Sequence, residues 1–170
     1  MAKAHQDTNY LGLEIRRPVT AIAISRAAAL GLRNLHYICC NANVDLDTVL
    51  TEAIEQGGIV NTISIQFPDP CFKVKHHKRR ILQPQLVSTI EKHLQPGGTL
   101  FMQSDVFHVL EEMRHLVRDT AVQLVDSHGS TDDWMEGEDN NPMGIATERE
   151  IATYRNGGSV YRCVFHKQAA

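Results

Sequence analysis

Apolar positions along the chain switch repeatedly between a short-run rhythm and a helical one. Tyr10 to Ile15 is a brief apolar run and predicts a first strand ending at Glu14-Ile15. Pro18 then suits the first turn of a helix, where its missing donor costs nothing. Val19, Ile22, Ala23, Arg26, Ala27 and Leu30 follow at helical spacing, and Gly31 offers a left-handed stop. Leu35 to Cys40 reads as a second strand. Asp45 is the expected N-cap of a helix that presents Leu46, Val49, Leu50, Ala53 and Ile54 and halts at Gly57-Gly58. Ile59 to Phe67 is β-branched and uncharged, the pattern of a strand buried on both faces.

The alternation continues downstream. Pro84, Leu86, Val87, Ile90 and Leu94 describe a helix ended by Pro96-Gly97-Gly98, and Thr99 to Gln103 a further strand. Val106, Val109, Leu110, Met113, Leu116 and Val117 form a regular stripe, expected as a core face. Ala121 to Val125 is a candidate strand. From about 126 to 144 the pattern lapses into Ser, Asp, Glu, Asn and Gly, which predicts a long flexible acidic loop. Thr147-Glu148-Arg149-Glu150 opens a short helix, and Ser159 to Phe165 is the last strand. Strands separated by helices, with a strand-rich end, indicate an α/β doubly wound sheet in one domain over 1–170. Ligands of such sheets gather outside the carboxyl ends of the strands. That rule selects Glu14, Asn41, Asp69 and Asp105.

Composition narrows the function classes. With 170 residues, 42% of them hydrophobic and 22% charged, the chain is an ordinary folded protein rather than a disordered, collagen-like or fibrous one. A net charge of −3 excludes a basic nucleic-acid coat. Distribution changes that picture, because Lys73, Lys75, Lys78, Arg79 and Arg80 place five of the 17 Lys and Arg residues in one loop. Like charges at that density repel one another unless a polyanion neutralises them. His76-His77 lie in the same run, but no carboxylate or thiol stands at ligand spacing beside them, so no metal is expected. Cys39, Cys40, Cys71 and Cys163 lack paired spacing and read as reduced thiols of an intracellular protein. No apolar stretch approaches bilayer length, and Met1 to Asp7 carries no secretory core, so no membrane association is expected.

The candidate residues each have a plain structural reading too. Asp69 stands between two prolines directly after the buried strand, where it either forms a turn or presents a carboxylate on a rigid backbone. Glu14 either accepts from ribose hydroxyls or pairs with Arg16 or Arg17. Asn41 caps, turns or reads an adenine. Asp105 is fully explained as the N-cap of the helix beginning at Val106, with any functional role additional. Thr147 and Glu150 have the spacing of a capping box, while carboxylates in that segment also suit the N1 and N2 hydrogens of guanine.

Taken together, Leu11-Gly12-Leu13-Glu14-Ile15-Arg16, Phe67-Pro68-Asp69-Pro70 with Lys73 and His77-Lys78-Arg79-Arg80, Pro96-Gly97-Gly98 leading to Ser104-Asp105, Thr147-Glu148-Arg149-Glu150 and Val160-Tyr161-Arg162 resemble the bacterial and organellar tRNA guanine-N7 methyltransferases. The pieces run in family order over nearly the whole chain. The resemblance implies a Rossmann-like class I methyltransferase fold and transfer of a methyl group from S-adenosylmethionine to a guanosine N7 in the tRNA variable loop. It implies that Glu14, Asn41 and Asp69 contact the cofactor, with Asp69 catalytic. It implies further that Lys73, Asp105, Thr147, Glu148, Arg149 and Glu150 bind substrate and that Lys78 and Arg79 lie against the tRNA backbone. Cys71 departs from the family, where an aromatic or histidine side chain is usual.

His76-His77-Lys78-Arg79-Arg80 resembles the run of family members that work without a protein partner, which implies no obligate partner, with monomer or homodimer and cytoplasm or organelle left open. Family members also carry a strand, a glycine-rich turn and a helix ahead of the strand ending in Glu14, and Met1 to Asn9 has no glycine to supply them. The expected sheet therefore lacks its first, central strand and first helix, and S-adenosylmethionine is expected to bind this chain weakly or not at all. A catalytically silent RNA-binding fragment or paralogue that keeps the basic loop is the alternative reading.

Overall fold

The computed structural model describes residues 1–71, 80–129 and 141–169. They form two compact units, Met1–Leu46 and Asp47–Ala170.

The first unit is a parallel pair, β1 (Tyr10–Glu14) and β2 (Leu35–Cys39), joined by α1 (Arg17–Ala29). Pro18 lies in the first turn of α1 as predicted. Past its end the Gly31 amide bonds Ala28 O, the Leu32 amide bonds Ala27 O, and Gly31 takes φ of 64°, a Schellman-type stop. The face that α1 buries differs from the expected stripe. Thr20 and Ala27 are buried, while Val19, Ile22 and Leu30 are exposed. Small residues are what the close helix–strand contact admits: the Thr20 hydroxyl reaches the Glu14 carbonyl at 3.3 Å. Gly12 opposes Tyr37 across the strand pair, and a Cβ there would come within 2.5 Å of the ring. The Asn34 amide group gathers the Ala2, His5 and Thr8 carbonyls at 2.8–3.0 Å, which ties down the start of the chain.

The boundary between units falls within α2 (Ala42–Glu55). This helix begins three residues ahead of the expected Asp45 cap. Asn41 takes the capping place, its Oδ1 accepting from the Asn43 amide at 3.1 Å, and Asp45 reaches back to the Asn41 amide at 2.9 Å.

The second unit holds a four-stranded sheet of order β3-β4-β6-β5, made of β3 (Val60–Gln66), β4 (Leu94–Ser104), β5 (Leu124–Asp126) and β6 (Tyr161–Lys167). Strands β3 and β4 are parallel, and β6 runs antiparallel between β4 and β5. Among the described residues no ladder joins this sheet to β1 and β2. Helices α3 (Pro84–His93) and α4 (Phe107–Thr120) bury Leu86, Val87, Ile90, Val109, Leu110, Met113 and Val117, the predicted stripes. Together with Leu100, Phe101, Met102 and Phe165 they make the core.

Three features depart from the expected pattern. Strand β4 starts at Leu94 and passes through Pro96-Gly97-Gly98 instead of beginning after it; its register against β3 slips between Val60 and Thr62. Gly97 takes φ of 77° and a Cβ on Gly98 would sit 2.8 Å from Gln95 O, so the pair makes a bulge, not merely a helix stop. Asp126 belongs to β5 rather than to the loop expected from there to Gly144. It is buried, bonded by Arg114 Nε at 2.6 Å and by Arg118 Nε at 2.8 Å. Burial alone would raise its pKa, but the Arg114 bond, the His128 amide and the two guanidinium charges carry it below the usual carboxylate value. Most of the remaining acidic segment, 130–140, lies outside the described residues.

Candidate active site

Strand β3 is uncharged, and the Phe67 amide donates to Gln103 O at 2.8 Å, which fixes where the chain leaves the sheet. The exit is the turn Phe67-Pro68-Asp69-Pro70-Cys71. Phe67 has φ of 48° and Cys71 has φ of 44°, the two non-glycine residues with positive φ among those described. Bulky side chains rarely adopt this region, at a cost of order 1–3 kcal/mol each. Asp69 therefore sits between two strained residues, and its Oδ1 accepts from the Cys71 amide at 3.0 Å. This is the turn expected of Asp69, and among the described residues it engages one of the two carboxylate oxygens. Lys73, Lys78 and Arg79 lie outside the described residues. Arg80, at the far end of the basic run, is anchored by Glu112 on α4 at 2.5 Å.

At the carboxyl end of β4 the structure corrects the role given to Asp105. It does not cap α4: Val106 holds that position without a side-chain bond, and Ser104 Oγ accepts from the Val106 amide at 3.1 Å. Freed from capping, the Asp105 carboxylate pairs with Arg149, whose Nε lies 3.0 Å away. Two predicted substrate residues from distant parts of the sequence are thus brought together at the surface.

Arg149 belongs to α5 (Glu148–Arg155), which opens with the predicted capping box. The Glu150 amide donates to Thr147 Oγ1 at 3.1 Å, and Glu150 Oε2 accepts from the Thr147 amide at 3.2 Å. Glu148 and Arg149 face solvent. Glu150 does not: it is 1% exposed, and its carboxylate also meets Arg162 Nη2 and, at 3.0 and 3.2 Å, the Asn141 side-chain amide. Direct substrate contact by Glu150, as the resemblance implied, has no opening in this arrangement, because the carboxylate is enclosed by protein groups.

Sequence reasoning passed over Gln66, Gln103, Asn141 and Arg162 as site residues. The one signal available was a charge inside the apolar strand that ends the chain, since an arginine there demands a buried partner. Arg162 is 0% exposed.

In the first unit, Glu14 and Asn41 close neighbouring parallel strands, with Glu14 in register with Cys39 and the Cys40 amide bonding Glu14 O at 3.1 Å. Arg16 holds the Glu14 carboxylate through its amide at 2.8 Å and Nε at 3.1 Å, and these bonds lower its pKa below the ordinary value. An ionised acceptor at the carboxyl end of a parallel strand fits the hydroxyls of a ribose. Burial raises the Cys40 thiol pKa, helped by Asp45 and Cys39, and burial raises that of Cys163 much further, so both remain thiols. Among the described residues no group of His, Cys, Asp and Glu is arranged to hold a metal ion, and no helix is long and apolar enough to cross a membrane.

Comparison with known proteins adds a family model, two relatives and two solved structures. A family model described as "Putative methyltransferase" matches residues 1–163. A tRNA (guanine-N(7)-)-methyltransferase of Trichormus variabilis is 42% identical over 168 residues, covering 98% of this chain and 74% of that protein. The corresponding protein of Thermosynechococcus vestitus is 42% identical over 174 residues, covering 99% of this chain and 74% of that one. Among solved structures, an rRNA methylase from Streptococcus thermophilus superposes with a TM-score of 0.56 at 10% identity, covering 95% of this chain and 74% of that chain. The N-methyltransferase NodS of Bradyrhizobium japonicum, in complex with S-adenosyl-L-homocysteine, gives a TM-score of 0.54 at 9% identity, covering 95% and 67% of the two chains. At such identity these structures speak for the fold, which is Rossmann-like and of the class I methyltransferase type.

Proposed function

Because the chain belongs to the family of tRNA (guanine-N7)-methyltransferases, we propose that it methylates N7 of a guanosine in the variable loop of tRNA, with S-adenosylmethionine as donor. The observation that carries this reading is the strained turn that presents Asp69 at the end of β3, next in the chain to the basic run and one strand away from the Asp105–Arg149 pair.

The donor supplies its methyl group on a sulfonium centre that is already activated. Guanine N7 offers a lone pair and has no proton to lose, so the protein's task is positioning and electrostatics rather than proton transfer. Glu14 and Asn41 hold the donor in this reading. Asp69 orients the reacting groups, with its backbone fixed by Pro68, Pro70 and the Cys71 amide. Asp105, Arg149, Thr147 and Glu148 meet the substrate, and Lys73, Lys78 and Arg79 neutralise tRNA phosphates, which makes affinity fall with salt. We read the protein as intracellular and as acting without an obligate protein partner, as a monomer or a homodimer.

The test is transfer of labelled methyl from S-adenosylmethionine to unmodified tRNA, with the product located by N7-selective chain cleavage. Label at a variable-loop guanosine is the expected result. Salt-sensitive tRNA binding without methyl transfer would instead assign the chain to RNA binding alone. Asp69→Asn is expected to lower kcat by about 100-fold with either ligand's affinity little changed, as loss of a positioning group does. A residual rate that climbs steeply with pH would point to proton abstraction and against this role.

A further inference from the structure

A row of polar side chains, buried at its centre and half-buried at its Gln66 end, crosses the sheet of the second unit. Gln66 on β3 is in direct register with Gln103 on β4, and Gln103 is in direct register with Arg162 on β6. Gln103 Nε2 donates to Gln66 Oε1 at 2.9 Å, and Arg162 Nε donates to Gln103 Oε1 at 3.1 Å. Arg162 Nη2 continues to the Glu150 carboxylate and to Tyr154 OH, the latter at 3.2 Å. Glu150 then closes the capping box with Thr147. Gln103 and Arg162 are 0% exposed and Glu150 is 1% exposed.

Arginine sets the direction of this row. A guanidinium only donates, so the Gln103 oxygen must face Arg162 and its NH2 must face Gln66. The Gln66 oxygen is thereby committed to Gln103, and its NH2 is turned to Ser64 Oγ at 3.2 Å. One residue thus fixes the orientation of two amides on two other strands. Buried ionic and polar rows of this kind are often matched in stability by apolar side chains of similar volume, so stability alone is a weak account of them. The two ends of the row give a better one. Gln66 directly precedes the turn that carries Asp69, and Glu150 locks the start of the helix that carries Thr147, Glu148 and Arg149.

We propose that Arg162 is a positioning residue for methyl transfer: through Gln103 and Glu150 it fixes the Asp69 turn and the Thr147–Glu150 segment in one geometry. This rests on the methyl-transfer reading above. Arg162 touches neither substrate nor donor in this account.

The test uses the full chain carrying both Arg162→Met and Glu150→Gln. This pair removes both buried charges together and keeps a residue at 150 that can still complete the capping box. The expected result is a folded protein whose kcat is about 10- to 100-fold lower, with KM for tRNA changed less than about threefold, because misplacement by a fraction of an ångström acts on the chemical step. Amide hydrogen exchange is the second readout. The Phe67 and Glu150 amides should exchange at least about tenfold faster while β5 amides keep their protection, since only the linked segments loosen. Where the double variant does not fold, Gln103→Leu is read by the same two measurements. An unchanged kcat in a folded variant, or exchange that accelerates at Glu150 but not at Phe67, overturns the proposal. A wild-type protein that transfers no methyl group refutes the functional reading instead, and hydrogen exchange then still decides whether Arg162 links the two segments.

Discussion

In the unit Asp47–Ala170, helices α3 and α4 close off their large apolar side chains: Leu86, Val87, Ile90, Leu110 and Val117 are each 0–3% exposed. In the unit Met1–Leu46, helix α1 leaves Val19, Ile22, Ile24 and Leu30 at 38–70% exposed and meets its strands through Thr20 and Ala27. Helices in both units carry apolar residues at helical spacing, so spacing identifies the helix without saying which face is covered. Coverage depends on what lies opposite. The four-stranded sheet offers a broad apolar surface of Leu100, Met102 and Phe165 among others, whereas two strands offer a narrow one that admits small residues. A segment the size of the first unit falls below the roughly 70 residues at which one core usually suffices. The comparison therefore predicts that global stability is set in the second unit.

The strongest way to break it is Asp126→Asn. Arg114 is 1% exposed and would keep its charge with a weakened partner, so a loss of about 3–5 kcal/mol is expected in urea unfolding. The pH dependence is fixed in sign. The folded pKa of Asp126 lies below its unfolded value, so the stabilisation is complete above the ordinary aspartate pKa near 3.9 and is lost as pH falls through the lowered folded value. The wild-type urea midpoint should fall below about pH 4 more steeply than that of the Asn variant. Equal slopes would mean that the pair contributes little. Leu110→Ala, which empties a 0%-exposed site, is expected to cost about 2–5 kcal/mol.

Much of this second unit is legible in the chain itself. The stripes of α3 and α4, the uncharged β3 and the Thr147–Glu150 box are local patterns whose partners lie a turn away. Asp69 is legible because a carboxylate between two prolines after an uncharged strand has no place in the core, although β3 is an edge strand with Asn61, Thr62 and Ser64 exposed and not the strand buried on both faces that its composition suggests. Roles that depend on cross-strand register are not. Gln103 and Arg162 matter because β4 and β6 align them, and no local spacing states that alignment. Asp105 reads as a cap because the rule for capping is local, while its partner Arg149 is 44 residues away. Pro96-Gly97-Gly98 misleads for a related reason: the same dihedral freedom ends a helix or makes a bulge, and the outcome goes with the pairing of β4 and β3, where a Cβ on Gly98 would lie 3.2 Å from the Asn61 carbonyl oxygen.

A smaller effect separates cap from core within the second unit. Thr147→Ala removes the acceptor for the Glu150 amide and should cost about 1 kcal/mol in thermal or urea unfolding. A loss near that of Leu110→Ala would mean that Thr147 supports the Arg162 row as well as its own helix.

The smallest expected effect bears most directly on the contrast between the units. Ile22 is 55% exposed, and serine and isoleucine differ little in helix propensity, so Ile22→Ser should change stability by less than about 0.5 kcal/mol. Deleting a comparable apolar side chain from α4 costs several times more, though both sit on regular helices. The measurement is the urea midpoint at matched protein concentrations. A loss above about 1 kcal/mol would require that Ile22 is covered in solution, by analogy with the cost of opening a buried apolar site. A loss that appears only at high protein concentration would place the cover on a second molecule, because stabilisation by association depends on concentration and an internal contact does not. No change at either concentration would leave α1 as a helix held by Thr20 and Ala27, with its large side chains contributing nothing to the fold.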